Sequence, residues 1–438
     1  MSRVAEETFL NTPRLKSSTD SGFIATGETC GQYKNIEVEI GPKLGGGQQG
    51  TLFFATIYFE LDGQEQTVYC AAKRINSKIA SEIPEEMKIH GRISDAVNQP
   101  SAQSGLLRMI GTYQDTDGQT YALLPLCDAT LASSMDIIKA LATTNERLHN
   151  QLMYDLFSSM VSGLTHLSTL GLVHGDIKPD NIGLRKMTTA VGPHATVDTY
   201  RYCMLDFGSV IQPEDALICS PLYMSPDLVA KNKTTFESDV WAVGAVLRKL
   251  NGESIANEQL DPTQLIFQRG NEYLKARNAA LLSDEENLQT AILDAIQTAT
   301  SFSEGLAHIR TAMSETLPEK RPSIETLQSA QKKLASLLPE LTARETSKLN
   351  SYLVNGLPAP KATLLETAQA KKAVELGDTF DISNESTVIK ISTNPESATF
   401  GGGSTPQTVA GKNPAAFFSP VARDTHDKTT PEKSFSQH

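Results

Sequence analysis

The stretch that most restricts what this chain can fold into is Val173–Leu184, VHGDIKPDNIGL, where an acid, a cation and an amide stand within a few residues between apolar flanks. Asp176, Lys178 and Asn181 are spaced so that one tight loop can aim a carboxylate at a hydroxyl, an ammonium at a phosphate and an amide oxygen at a metal. Phosphoryl transfer asks for little more than that, because its catalysis rests on positioning and on neutralising charge. Taken alone, the stretch also fits a turn-rich surface loop, since Asp, Asn and Pro are common in both.

Composition narrows the alternatives. A chain of 438 residues has room for two or three domains and a sizeable core. Its net charge of −12 argues against a general nucleic-acid binder. No run approaches the roughly 18 apolar residues that a membrane span needs, and the opening MSRVAEETFL lacks the apolar region of a signal peptide. The expectation is a soluble, cytoplasmic protein. Cys30, Cys70, Cys127, Cys203 and Cys219 are odd in number and scattered, with no CxxC pair, as for reduced thiols.

Residues 1–34 are polar and aperiodic and read as a flexible tail. From Asn35 the chain alternates in strand fashion: IEVEI, then KLGGGQQGTLFFATIYF, a DGQ turn, and TVYCAAKRI, which predicts three strands with two reversals. Gly45, Gly47 and Gly50 give a GxGxxG turn flanked by Leu44 and Leu52. Missing Cβ atoms there let backbone N–H groups approach phosphates, whereas a dinucleotide-binding turn would run directly into a helix. Residues 77–94 carry acids in front and Met87, Ile89 and Ile93 behind, an amphipathic helix that Pro84 restricts to starting near that position.

These blocks, with VHGDIKPDN, the DFG at Asp206–Gly208, CSPLYMSPD at Cys219–Asp227, SDVWAVGAVL at Ser238–Leu247 and LPEKRPS at Leu317–Ser323, stand in the order of the eukaryotic-type Ser/Thr protein kinases, which the chain resembles over roughly residues 35–338. The resemblance implies an α+β, bilobal kinase fold, with a β-rich N-lobe at about 35–125 and a helical C-lobe at about 128–338, then a helical extension at 339–376 and a disordered tail at 377–438. It implies ATP and Mg²⁺ as cofactors. Asp176 and Lys178 would be catalytic, and Asn181 and Asp206 would hold the metal. Lys73 would bind the α- and β-phosphates under the glycine turn and pair with Glu86, which fits the helix pattern better than Glu85. Leu44, Leu52 and Ala71 would sandwich the base, Leu124 would be the gatekeeper, and the backbone of Leu126 and Cys127 would serve the base because Pro125 has no N–H.

By the same resemblance, Ser220 takes the position that marks Ser/Thr specificity, Asp239 holds the catalytic-loop backbone, and Asp227 replaces a glutamate that pairs with the arginine matched by Arg321, so the shorter acid must reach further. Gly175 stands where regulated members have an arginine that grips a phosphorylated activation segment, which implies activity independent of that phosphorylation. Implied partners are proteins with Ser or Thr acceptors, the chain's own tails among them. HGD followed by Asn also occurs in kinase-fold enzymes that phosphorylate antibiotics and choline, so a small-molecule phosphotransferase is the alternative, with a kinase-like binding scaffold as a third reading. Lys178 and SPLYMSPD speak against the former, and the presence of Lys73, Asp176, Asn181 and Asp206 speaks against the latter. The loose match outside the motifs is compatible with a bacterial effector delivered into a host cell.

Overall fold

The computed structural model describes residues 9–10, 13–17, 22–47, 50–75, 84–97, 104–192, 195–210, 213, 220–255, 261–280, 288–342 and 345. The proposed tail at 377–438, Cys219 and nearly all of the extension at 339–376 lie outside them. A six-stranded sheet of order β1-β2-β3-β4-β6-β5 forms the N-terminal part, from β1 (Glu28–Cys30), β2 (Tyr33–Gly47), β3 (Gly50–Leu61), β4 (Gln64–Ile75), β5 (Gly111–Gln114) and β6 (Thr120–Pro125). The turn between β3 and β4 is a two-residue hairpin in which Asp62 and Gly63 both take positive φ, 52° and 73°. An Asp-Gly pair suits that backbone because its twist matches the strands it joins. Helix α1 (Glu85–Ala96) packs beside this sheet and begins directly after Pro84, as a residue without an N–H dictates.

The reading of residues 1–34 as a flexible tail is corrected among the described residues. Phe9, Leu10, Leu15, Ile24, Cys30 and Tyr33 belong to the buried cluster of the sheet, and Phe9 stacks on Phe59 with ring centroids 4.6 Å apart. The apolar residues are too irregularly spaced to mark an element. Phe9 and Tyr33 close a ring cluster with Phe59, while Leu15 and Ile24 run along the β5 edge, where backbone bonds from Leu15 to Ile110 (2.7 Å) and from Ile24 to Thr112 (2.8 Å) fix the path.

The second lobe is helical. β7 (Ala129–Thr130) leads into α2 (Leu131–Thr144) and the long α3 (Glu146–Thr169), whose Leu148, Leu152, Leu156, Phe157 and Leu164 face the main core. β7 pairs with the hairpin of β8 (Ile182–Gly192) and β9 (Ala195–Met204), which joins the two site motifs. Then come α4 (Pro226–Lys231), α5 (Phe236–Leu250), α6 (Pro262–Ala280), α7 (Leu288–Thr298), α8 (Phe302–Met313) and α9 (Ile324–Leu337). Thr235 and Ser238 close a reciprocal capping box at the start of α5, and this fixes the entry of the helix that carries Asp239. No helix among the described residues is long and apolar enough to cross a membrane.

Candidate active site

Two clusters of charge meet where the lobes join. In the first, the Lys73 ammonium on β4 lies 2.5 Å from Glu86 Oε1 on α1 and 2.6 Å from Asp206 Oδ1, so one cation ties strand, helix and DFG turn together. Burial works against the charged lysine, but the carboxylates of Asp206 and Glu86 outweigh it and raise its pKa above the ordinary value. Glu85 points elsewhere, toward Lys88 at 3.3 Å, so of the two glutamates Glu86 is the one at the lysine.

The second cluster centres on Asp176, which is buried. Its Oδ2 accepts from Lys178 Nζ (2.6 Å) and Asn181 Nδ2 (2.9 Å), and its Oδ1 from the Ser220 N–H (3.3 Å). Lys178 also reaches Ser220 Oγ at 3.1 Å, which links this loop to the Ser220 segment. The loop backbone is held from below: Asp239 Oδ2 and Oδ1 accept the N–H groups of His174 (2.6 Å) and Gly175 (2.9 Å). Gly175 has φ 78°, a conformation in which a side chain is strained, so glycine suits this turn independently of any role in regulation.

The apolar residues proposed for the base gather in one cluster: Leu44, Leu52, Ala71, Leu124, Leu126 and Cys127, joined by Leu205. Leu205 and Gly183 were not singled out from the sequence. A Cβ on Gly183 would stand 2.7 Å from Cys127 Sγ and 2.9 Å from Leu205 Cδ2, so its absence lets those two side chains close together over β8. Gly45, Gly47 and Gly50 occupy the end of the β2–β3 hairpin, with Gly47 paired to Gly50.

The donor set fits Mg²⁺. That ion binds through one or two protein oxygens and fills its remaining positions with water and phosphate oxygens. The Asn181 amide spends its NH₂ on the Asp176 carbonyl and carboxylate, which leaves its carbonyl oxygen to join the Asp206 carboxylate. A cavity of about 500 Å³ opens beside this loop, lined by Lys178 and Ser220 together with Leu222, Tyr223, Pro262 and Leu265.

A protein kinase domain model matches residues 38–331, which encloses both clusters. The chain belongs to the protein kinase family. Among curated proteins, this kinase is similar to the serine/threonine-protein kinase atg1 of Dictyostelium discoideum, 23% identical over 51% of the chain and 31% of that relative. It is likewise similar to the serine/threonine-protein kinase unc-51 of Caenorhabditis elegans, at 26% over 40% of the chain and 20% of the relative. The 3-phosphoinositide-dependent protein kinase 1 of Arabidopsis thaliana matches at 26% over 42% of the chain and 36% of its own length. The kinase thus spans only a fifth to about a third of these relatives' lengths.

The ion pair of Asp227 with Arg321 forms despite the shorter acid, at 2.6 Å, with the arginine side chain fully enclosed. Sequence reading also passed over His90. It lies four residues beyond Glu86 on the same face of α1, and its ring packs at a tilt against Phe207 with centroids 4.5 Å apart, while His174 approaches Phe207 from the loop side at 5.7 Å. Because a carbonyl only accepts, the 2.8 Å contact with Leu107 O assigns the proton to Nε2. Burial drives the His90 pKa from 6.5 down to about 4.

The folded kinase therefore resists a proton that the unfolded chain accepts. The stability His90 contributes is complete above pH 6.5 and drains as pH falls toward about 4. Each pH unit within that window removes up to about 1.4 kcal/mol. Urea midpoints at pH 7 and pH 5 should show a steeper loss for the wild type than for His90→Leu. Equal losses would mean that the imidazole does not titrate between the two states.

Proposed function

We propose that this protein is an ATP-dependent Ser/Thr protein kinase that transfers the γ-phosphoryl group of ATP to protein hydroxyls. The observation that carries the reading is the bridge Glu86–Lys73–Asp206, assembled in the same site in which Asp176, Lys178 and Asn181 converge. In this reading the purine lies among Leu44, Leu52, Ala71, Leu126 and Cys127, and the phosphates run beneath Gly45–Gly50 to Lys73. Asn181 and Asp206 hold Mg²⁺, which when bound neutralises phosphate charge.

Asp176 orients the acceptor hydroxyl and takes its proton as the oxygen attacks the γ-phosphorus and the bond to the leaving ADP oxygen breaks. Lys178, already 2.6 Å from Asp176, offsets the charge that spreads over the phosphoryl oxygens. The Ser or Thr acceptor is proposed from Ser220, whose hydroxyl meets Lys178, and from the serine/threonine kinases named above. The cavity beside the loop, lined by Lys178, Asp180 and Ser220 together with Leu222, Tyr223, Pro262 and Leu265, gives an extended peptide both polar and apolar contacts next to its acceptor. The chain's own tails are candidate acceptors.

Gly175 in place of a gripping arginine and the burial of Ser209 support a kinase that works without activation-segment phosphorylation. The test is transfer of labelled phosphate to generic Ser/Thr proteins against an aminoglycoside panel. Label on protein only, kept in Ser209→Ala, is expected. Label on the aminoglycosides would replace the reading, and loss at Ser209→Ala that an acidic substitute restores would remove the regulatory part.

A further inference from the structure

We propose that Arg14 is a positioning residue for the kinase reaction: the segment around it forms a strap that braces α1 from behind and so holds Glu86 against Lys73. The guanidinium grips Asp95 with two bonds, Nε to Oδ1 at 3.2 Å and Nη2 to Oδ2 at 3.0 Å, the paired geometry that orients as well as attracts. Lys16 adds a second, more exposed cation at 3.1 Å from the same carboxylate.

Asp95 lies nine residues after Glu86, or about two and a half helical turns, which sets the two acids on opposite sides of α1. Lys73 thus holds the helix from the front and Arg14 from the back.

Two glycines lie against the strap, and the second makes room for it. A Cβ on Gly91, within α1, would stand 3.4 Å from Arg14 Cζ, so the guanidinium lies close against the helix surface. A Cβ on Gly111, at the start of β5, would meet Ile24 Cδ1 at 2.6 Å and the Leu15 carbonyl at 3.3 Å. The residue next to Arg14 is itself anchored, because Leu15 is buried and its N–H bonds to Ile110 at 2.7 Å. Arg14 therefore reaches α1 from a fixed point on the sheet that also carries Lys73. An exposed ion pair between two loose partners would carry little. Here both partners are already placed, and the pair acts on the one helix that delivers Glu86.

The inference rests on the reading of Glu86–Lys73 as catalytic machinery, and the experiment separates the two. Arg14→Ala, Arg14→Lys, Asp95→Asn, which releases both cations, and the double variant Arg14→Ala/Asp95→Asn are made in the full chain. They are compared by kcat and KM for ATP, thermal midpoint and amide exchange over residues 85–96. Either single loss should lower kcat/KM for ATP about fivefold. The double variant should lose no more than one single variant, because one interaction is removed twice. Arg14→Lys should recover part of the activity, midpoints should move by less than about 2 °C, and exchange in α1 should quicken. Unchanged kcat/KM, additive losses, or a loss that follows the midpoint would overturn the strap. If the wild type transfers no phosphate yet exchange in α1 still quickens in Arg14→Ala, the strap stands and the kinase reading falls.

Discussion

Asp176→Asn lowers the rate of phosphoryl transfer by about 10²–10⁴-fold, the range spanned by a positioned general base, and leaves ATP affinity nearly unchanged. The separation follows from where the carboxylate sits. Asp176 takes its contacts from Lys178, Asn181 and the Ser220 N–H, none of which belongs to the apolar cluster proposed for the purine, built from Leu44, Leu52, Ala71, Leu124, Leu126 and Cys127. An amide at position 176 keeps the size of the side chain but cannot accept the proton of an attacking hydroxyl. It also turns a donor toward either the Asn181 amide or the Ser220 N–H, so the loop loses aim as well as basicity. Nucleotide titration and steady-state transfer on the same preparation give both quantities. A rate within about threefold of the wild type would remove Asp176 from the chemistry.

Arg321→Leu destabilises the fold by about 3–5 kcal/mol, the cost of leaving one member of a buried ion pair without its partner. The Arg321 side chain is 0% exposed and that of Asp227 only 2%, so water cannot replace the lost contact. The guanidinium also donates to the carbonyls of Glu315 (2.8 Å), Glu237 (3.0 Å) and Thr316 (3.0 Å), and leucine leaves all three without that donor. These bonds tie the start of α5 and the turn before α9 to the Pro226 end of α4, so the loss spreads over three elements. Arg321→Lys should not restore it, because an ammonium cannot span the fork of acceptors. Thermal melts should show a fall of roughly 10 °C for Arg321→Leu. A midpoint within about 2 °C of the wild type would show that the pair adds little to the fold.

What was legible in the sequence was whatever depends on short, fixed spacings. Asp176, Lys178 and Asn181 share one turn, so their order in the chain sets their order in space, and the DFG turn follows a hairpin whose length does not alter where its strands end. Pro84 marked the start of α1 because a missing N–H acts locally.

The less legible parts depend on partners distant in the chain. Phe9, Leu15 and Ile24 form no periodic pattern; Phe9 becomes core only against Phe59, and Leu15 and Ile24 only against the sheet edge made by residues some ninety positions later. His90 gives no signal within its amphipathic helix, because its burial comes from Phe207 and the Leu107 carbonyl, which are distant in the chain. Gly183 carries no signal of its own, since its meaning lies in the two side chains that meet above it. The reach of Asp227 to Arg321 was a matter of ångströms that no spacing rule supplies.

The most direct test of the central claim is incubation of purified wild type and Asp206→Ala with labelled ATP and Mg²⁺, with and without a generic Ser/Thr substrate, followed by mapping of the labelled residues. The account predicts label on serine or threonine with the wild type and none above background with Asp206→Ala, because the variant loses both the Lys73 bridge and a proposed metal ligand. Nucleotide binding by the wild type with no label on any protein hydroxyl would contradict it.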